Sequence, residues 1–185
     1  MIQLNIITAS TRPGRIGPTV SAWLHDLAQQ QDAIQTTLVD LAEYNLPIFN
    51  EPKHPRLGQY ENELTKRWSA QVASADAYVF VLPEYNHLPP PSLINAITYL
   101  SQEWAYKPAG LASYGGLSGG MRAAQALKPM LAALKVVPLV EAVTVPMVGN
   151  QVEDGKFKAS PELDQAAVTM FKELSRWAHA LKALR

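Results

Sequence analysis

The sequence contains no cysteine. That absence excludes disulfide frameworks, thiolate zinc sites, iron–sulfur clusters and thiol nucleophiles. It also lacks an excess of charge of either sign, since 16 lysines and arginines balance 16 aspartates and glutamates. A neutral chain has no electrostatic footprint for nucleic acid, so no nucleic-acid partner is expected. No apolar run approaches the length of a membrane span. No basic segment and small-residue cleavage site frame the opening run "MIQLNII". No membrane partner, no signal peptide and a cytoplasmic location are therefore expected. His25, His54 and His179 show no metal-ligand spacing, and no metal is expected. No repeat, low-complexity tract or second domain interrupts the 185 residues, which implies one domain over 1–185.

Hydrophobic residues make up 48% of the chain, a globular composition with enough length for a sizeable core. Five β-rich runs follow one another: "IQLNII", "AIQTTLVDL", "DAYVFVL", "KPAGLASY" and "PLVEAVTVP". Helical periodicity lies between them. It runs through Val20, Trp23, Leu24, Leu27 and Ala28, then Leu64, Trp68, Val72 and Ala75. It returns in Leu93, Ile94, Ile97 and Leu100, and again in Ala124, Leu127, Leu131 and Leu134. Pro129 falls inside the last of these and should kink or shorten that helix. "GNQVEDGKFKAS" reads as a polar hairpin. A final helix opens on Ser160 as N-cap with Pro161 behind it. Its buried stripe should be Leu163, Ala167, Met170, Phe171, Leu174, Trp177 and Leu181.

Alternating strands and helices predict an α/β chain, a parallel sheet with helices on both faces. Five strands suggest a flavodoxin-like three-layer fold with sheet order 2-1-3-4-5. In such sheets ligands bind beyond the carboxyl ends of the strands. The three densest polar or glycine-rich loops follow strands one, three and four, and so share that edge.

The first loop, "ASTRPGRIGPT", offers hydroxyls from Ser10, Thr11 and Thr19 and forked donors from Arg12 and Arg15. A helix N-terminus follows it. Together these make a monophosphate site, although neither a Walker loop nor G-x-G-x-x-G is present. A solvated turn with two surface arginines would share these residue types. The second loop, "PEYNHLPPP", places Pro83, Glu84, Tyr85, Asn86 and His87 at a strand end. Tyr85 and Asn86 suit a planar heterocycle with an edge of donors and acceptors. A proline-stiffened turn is the simpler reading. The third, "SYGGLSGG", lets a ring approach the backbone at Gly115 and Gly116, with Tyr114 packing on a ring or in the core.

The first loop, "PEYN" and "SYGG", in this order, resemble the NADPH-dependent FMN reductase family, the flavodoxin-like quinone, azo and chromate reductases. The resemblance covers Ile2 to about Val145. It implies that Ser10, Arg12, Arg15 and Thr19 hold the FMN phosphate. Pro83, Glu84, Tyr85, Asn86 and His87 would lie along the isoalloxazine, and Tyr114, Gly115 and Gly116 would approach it from another side. It implies NADPH or NADH as hydride donor and a small-molecule electron acceptor: a quinone, flavin, azo compound or metal oxyanion. No side chain need act as acid or base, so no catalytic residue is expected. His87 is the nearest titratable group, more simply a surface histidine. The resemblance also implies a homodimer or homotetramer, with Leu46, Phe49 and Pro52 as a plausible contact. The chain departs from the family at Ala9, where glycine is usual, at Leu88 for serine, and at Ile94 for lysine, while Asn95 is kept.

Two rivals remain open from the residues. "GLSGG" matches G-x-S-x-G, so a serine hydrolase could use Ser118 with Asp154 or Asp164 and His179. His179, however, lies in a long amphipathic helix. A non-catalytic FMN carrier or sensor would use the same fold, but carriers are usually strongly acidic and this chain is neutral.

Overall fold

A computed structural model describes all 185 residues, Met1–Arg185. In chain order the elements are β1 (Ile2–Thr8), α1 (Gly17–Ala28), β2 (Ile34–Asp40), α2 (Leu41–Tyr44), α3 (Glu63–Ala73), β3 (Ala77–Pro83), α4 (Pro91–Thr98), β4 (Pro108–Tyr114), α5 (Met121–Ala133), β5 (Val137–Pro138), β6 (Val143–Val145), β7 (Val152–Glu153), β8 (Lys156–Phe157) and α6 (Pro161–Leu181). The main sheet runs β2-β1-β3-β4-β5, parallel throughout, the expected flavodoxin-like order. Central strands β3 and β4 are buried at every residue, as strands covered on both faces must be. One face packs against α3, α4 and α5 through Trp68, Tyr78, Phe80, Tyr99 and Trp104. The other packs against α1 and α6 through Val20, Leu24, Met170, Phe171 and Leu174.

The expected fifth strand is two strands. β5 and β6 both pair with β4, and residues 139–142 break the run between them. Val140 there is 87% exposed. The break sits at the sheet edge, where few ladder bonds are lost, and Pro138 has no N–H to contribute. Pro129 does not end α5, which continues to Ala133.

The α6 stripe is narrower than expected. Ala167, Met170, Phe171, Leu174 and Ala178 are buried, whereas Leu163 and Leu181 are half-buried and Trp177 is exposed. Ala178, four residues beyond Leu174 and seven beyond Phe171, holds the stripe, and Trp177 falls on its flank. Ile94 likewise faces outward from α4. The polar hairpin forms as β7 and β8, joined by Asp154 and Gly155, both at positive φ, the geometry a two-residue turn of this kind requires.

Candidate functional site

Because β1, β3 and β4 are parallel, the three loops emerge on one edge of the sheet. Side chains then tie them together. The Tyr114 hydroxyl, at the end of β4, donates to Ser10 Oγ in the first loop at 3.1 Å. Burial pushes that phenol up to about 12, with Ser10, Arg15 and Arg12 pulling against it and Tyr85 adding to it. Gly17 packs directly beneath this contact, and a Cβ there would run into Ser10 Oγ and the Tyr114 hydroxyl. Ser92 Oγ, in the first turn of α4, donates to the Ala9 carbonyl at 2.6 Å and pins the loop's start.

From Ser10 to Gly17 no backbone N–H meets a protein acceptor. Helix α1 begins with Ile16 at its N-cap and no side-chain cap. A loop of unpaired N–H groups running into a helix N-terminus is an anion cradle. Its two arginines have different surroundings. The Arg15 guanidinium grips the Asp40 carboxylate with two N–H groups, one at 2.6 Å, and donates to the Ser10 carbonyl at 2.7 Å. Arg12 is exposed and forms no ion pair. Thr19 stands apart from both. Its hydroxyl donates to the Ile16 carbonyl, and its side chain borders a cleft with Trp23, Gly155 and Phe157.

The second loop turns sharply. Tyr85 and Leu88 exchange two backbone hydrogen bonds at 2.9 and 3.0 Å, and Asn86 and His87 between them both have positive φ. The turn is therefore built by these two residues, and the prolines follow it. Asn86 and His87 are exposed at its tip. Pro83 is buried as the last residue of β3.

Glu84 joins the second loop to the third. Its carboxylate accepts from Arg122 Nε at 2.7 Å, from the Arg122 backbone N–H at 3.2 Å and from Ser118 Oγ at 3.1 Å. Burial alone would push the carboxyl up, but the Arg122 guanidinium and the Ser118 hydroxyl hold it below its ordinary value. The third loop is closed by Gly120 at φ +80°, where a Cβ would meet the Tyr114 backbone at 2.8 Å. Gly115 and Gly116 accept from Val148 and Met147, which ties the turn to the segment after β6. A Cβ on Gly116 would meet nothing within 4 Å, so the outer side of this turn is open.

Beside these loops lies a groove of about 960 Å³, reached by Thr11, Tyr85 and Asn86. Leu46 and Phe49 of the proline-rich segment do not project from the surface. They pack against the chain's own core, Phe49 edge-on to Tyr99, while Ile48 and Pro52 are exposed.

The hydrolase geometry is not assembled. Ser118 is engaged by Glu84 and Arg122. His179 bonds the Ser175 carbonyl within α6, Asp164 accepts from Trp23, and Asp154 sits in the hairpin turn. Ser118 and Arg122 thus hold the loops together, a role that reading along the chain does not reveal. Asp40 was also missed, although its place at the carboxyl end of β2 puts it on the same edge as the three loops.

The chain matches the model of the family described as NADPH-dependent FMN reductase over residues 2–150. It is 39% identical over 129 residues to an NAD(P)H-dependent FMN reductase of Nectria sp, covering 66% of this chain and 64% of that relative. The chain thus spans just under two thirds of that relative's length. It is 30% identical over 132 residues to a quinone reductase of Pseudomonas putida, covering 68% of this chain and 67% of the relative. The flavoenzyme NAD(P)H:(acceptor) oxidoreductase of Paracoccus denitrificans shares the fold, with a TM-score of 0.75 at 19% identity over 97% of this chain and 98% of that one.

Proposed function

The chain belongs to the NADPH-dependent FMN reductase family, and from this premise we propose that it binds FMN at the carboxyl edge of its sheet and moves two electrons from NAD(P)H to a small-molecule acceptor. The observation that carries the proposal is the first loop, with its unpaired N–H groups from Ser10 to Gly17 and the free Arg12. That donor set fits a phosphate monoester. The open turn at Gly116 and the Tyr85–Asn86 wall fit a flat ring beside it. When bound, FMN supplies the hydride and electron chemistry.

The chain's own residues bind and position. Arg12 and the loop N–H groups hold the phosphate. Arg15 holds the loop, by fixing the Ser10 carbonyl to Asp40. Tyr114 joins the phosphate loop to the third loop through Ser10. Glu84, Ser118 and Arg122 keep the second and third loops together. Pro83 and Gly115 belong to the site through the backbone they shape, whereas the Thr19 hydroxyl is turned to the Ile16 carbonyl, beside a separate cleft. His87, at the tip of its turn, has no protein hydrogen bond and is given no proton to carry.

The Pseudomonas putida relative is a quinone reductase, which supports a quinone among the acceptors. Flavin, azo and metal-oxyanion acceptors fall within the same proposal, as do NADH as alternative donor and a homodimer or homotetramer. No helix is long and apolar enough to cross a membrane.

The test is the visible spectrum of the protein with FMN, recorded anaerobically before and after NADPH. Bound flavin that bleaches is expected. Bound flavin that stays oxidised with both NADPH and NADH would favour the carrier reading. No bound flavin would remove the assignment of all three loops.

A further inference from the structure

The groove beside the site is lined without a single charged side chain, in a chain where 17% of residues are charged. Its polar groups are amides and hydroxyls, and several already serve the fold. Asn95 accepts from the Phe49 N–H and donates to the Pro47 carbonyl, and Ser92 donates to Ala9. Three large apolar residues stand on its rim in solvent: Ile48 at 90% exposure, Leu88 at 54% and Ile94 at 37%. They come from three separate segments, the proline-rich loop, the turn after β3 and the first turn of α4. Their convergence is a product of the tertiary fold, and apolar surface gathered at the mouth of a site marks a binding face.

On the reductase reading above, we propose that this groove binds the hydrocarbon tail of a neutral quinone, whose ring enters beside Tyr85 and Asn86. Metal oxyanions, free FMN and sulfonated dyes carry negative charge, and the groove has no cation to meet it. A quinone ring is neutral, and each tail methylene buried against Ile48, Leu88 and Ile94 leaves water. The overall step balances as NAD(P)H + H⁺ + quinone → NAD(P)⁺ + hydroquinone. The hydride brings both electrons and one hydrogen, solvent supplies the second proton, and the two quinone C=O bonds become C–OH.

The experiment uses the FMN-loaded protein in its native assembly, with NADPH as donor under anaerobic conditions. The acceptors are 2,3-dimethoxy-5-methyl-1,4-benzoquinone and its 6-decyl derivative, each below its solubility limit. The decyl compound should show kcat/KM at least about tenfold higher. In the Leu88→Ser/Ile94→Lys double variant that ratio should fall to about one, with FMN absorbance still at full occupancy. Ile48→Asn is the second variant and should lower the ratio part of the way. A ratio near one in the unsubstituted protein overturns the inference while leaving the reductase reading standing. So does a high ratio that survives all these substitutions, or a second subunit that packs the groove shut. Failure of both NADPH and NADH to reduce bound flavin would sink the reductase reading and this inference together.

Discussion

The two arginine–carboxylate pairs that frame the site are built on opposite plans. In the first loop Arg15 and Asp40 are equally shielded, both side chains 20% exposed. Between the second and third loops, Glu84 is 7% exposed while Arg122 is 51% exposed. A shielded charge that loses its partner costs more than the intact pair contributes. The first pair is therefore symmetric, and losing either partner strands a partly shielded charge. In the second, Arg122 has water to turn to, and Glu84 does not. Arg12, three residues before Arg15, belongs to neither plan: it is exposed and pairs with no carboxylate.

Arg122→Met should break the second pair with the largest effect. It leaves Glu84 shielded beside one hydroxyl and one N–H, at a cost of about 2 kcal/mol in urea unfolding at pH 7. Its pH dependence sharpens the contrast. In the unsubstituted protein Glu84 titrates below its ordinary value, because Arg122 and Ser118 outweigh burial. A carboxyl lowered on folding contributes stability that is fully present above its unfolded value of about 4.3, and that stability is lost as pH falls through the folded value. Without Arg122, burial dominates and the carboxyl should rise above its unfolded value. The stability difference between variant and parent should then shrink as pH falls from 7 towards 4. A difference constant over that range would mean that the Glu84–Arg122 pair is a solvated contact, no different in kind from the first.

Arg15→Ala should have a smaller effect, about 1 kcal/mol, since Asp40 keeps some access to water and still caps α2 through the Ala42 N–H. Calorimetric melting measures it, and a loss larger than that of Arg122→Met would reverse the comparison. Arg12→Ala should change stability least, within about 0.5 kcal/mol. It should weaken FMN binding about tenfold or more, because a charged donor to the phosphate is removed. Fluorescence titration with FMN decides this point. Unchanged affinity in Arg12→Ala with a large loss in Arg15→Ala would exchange the roles assigned to the two arginines.

Much of the fold is legible along the chain. The near-continuous apolar run of β3, the helical stripes and the Asp154–Gly155 turn are local patterns with local causes. Where reading the chain fell short, a neighbour distant in sequence was decisive. "PLVEAVTVP" has strand composition throughout, yet only its sheet-edge position lets residues 139–142 leave the ladder. The packing of Leu46 and Phe49 onto the chain's own core is not written in their polar, proline-rich loop. Asn95 and Tyr99, nearly fifty residues on, draw that loop back onto the core. Ser118 matched a nucleophile motif in its five-residue context, and its real partners are Glu84 and Arg122.

By itself the sequence determined that this is a parallel α/β chain with three donor- or glycine-rich loops on one edge. Hydrophobic period sets the elements, and the alternation of strand and helix puts the ends of parallel strands together. Only the tertiary structure decided which donors face outward. Arg12 and Arg15 are alike as residues and nearly adjacent, and what separates them is a carboxylate 25 residues further along. Ion pairing depends on distances in space, and those exist only once β2 lies beside β1.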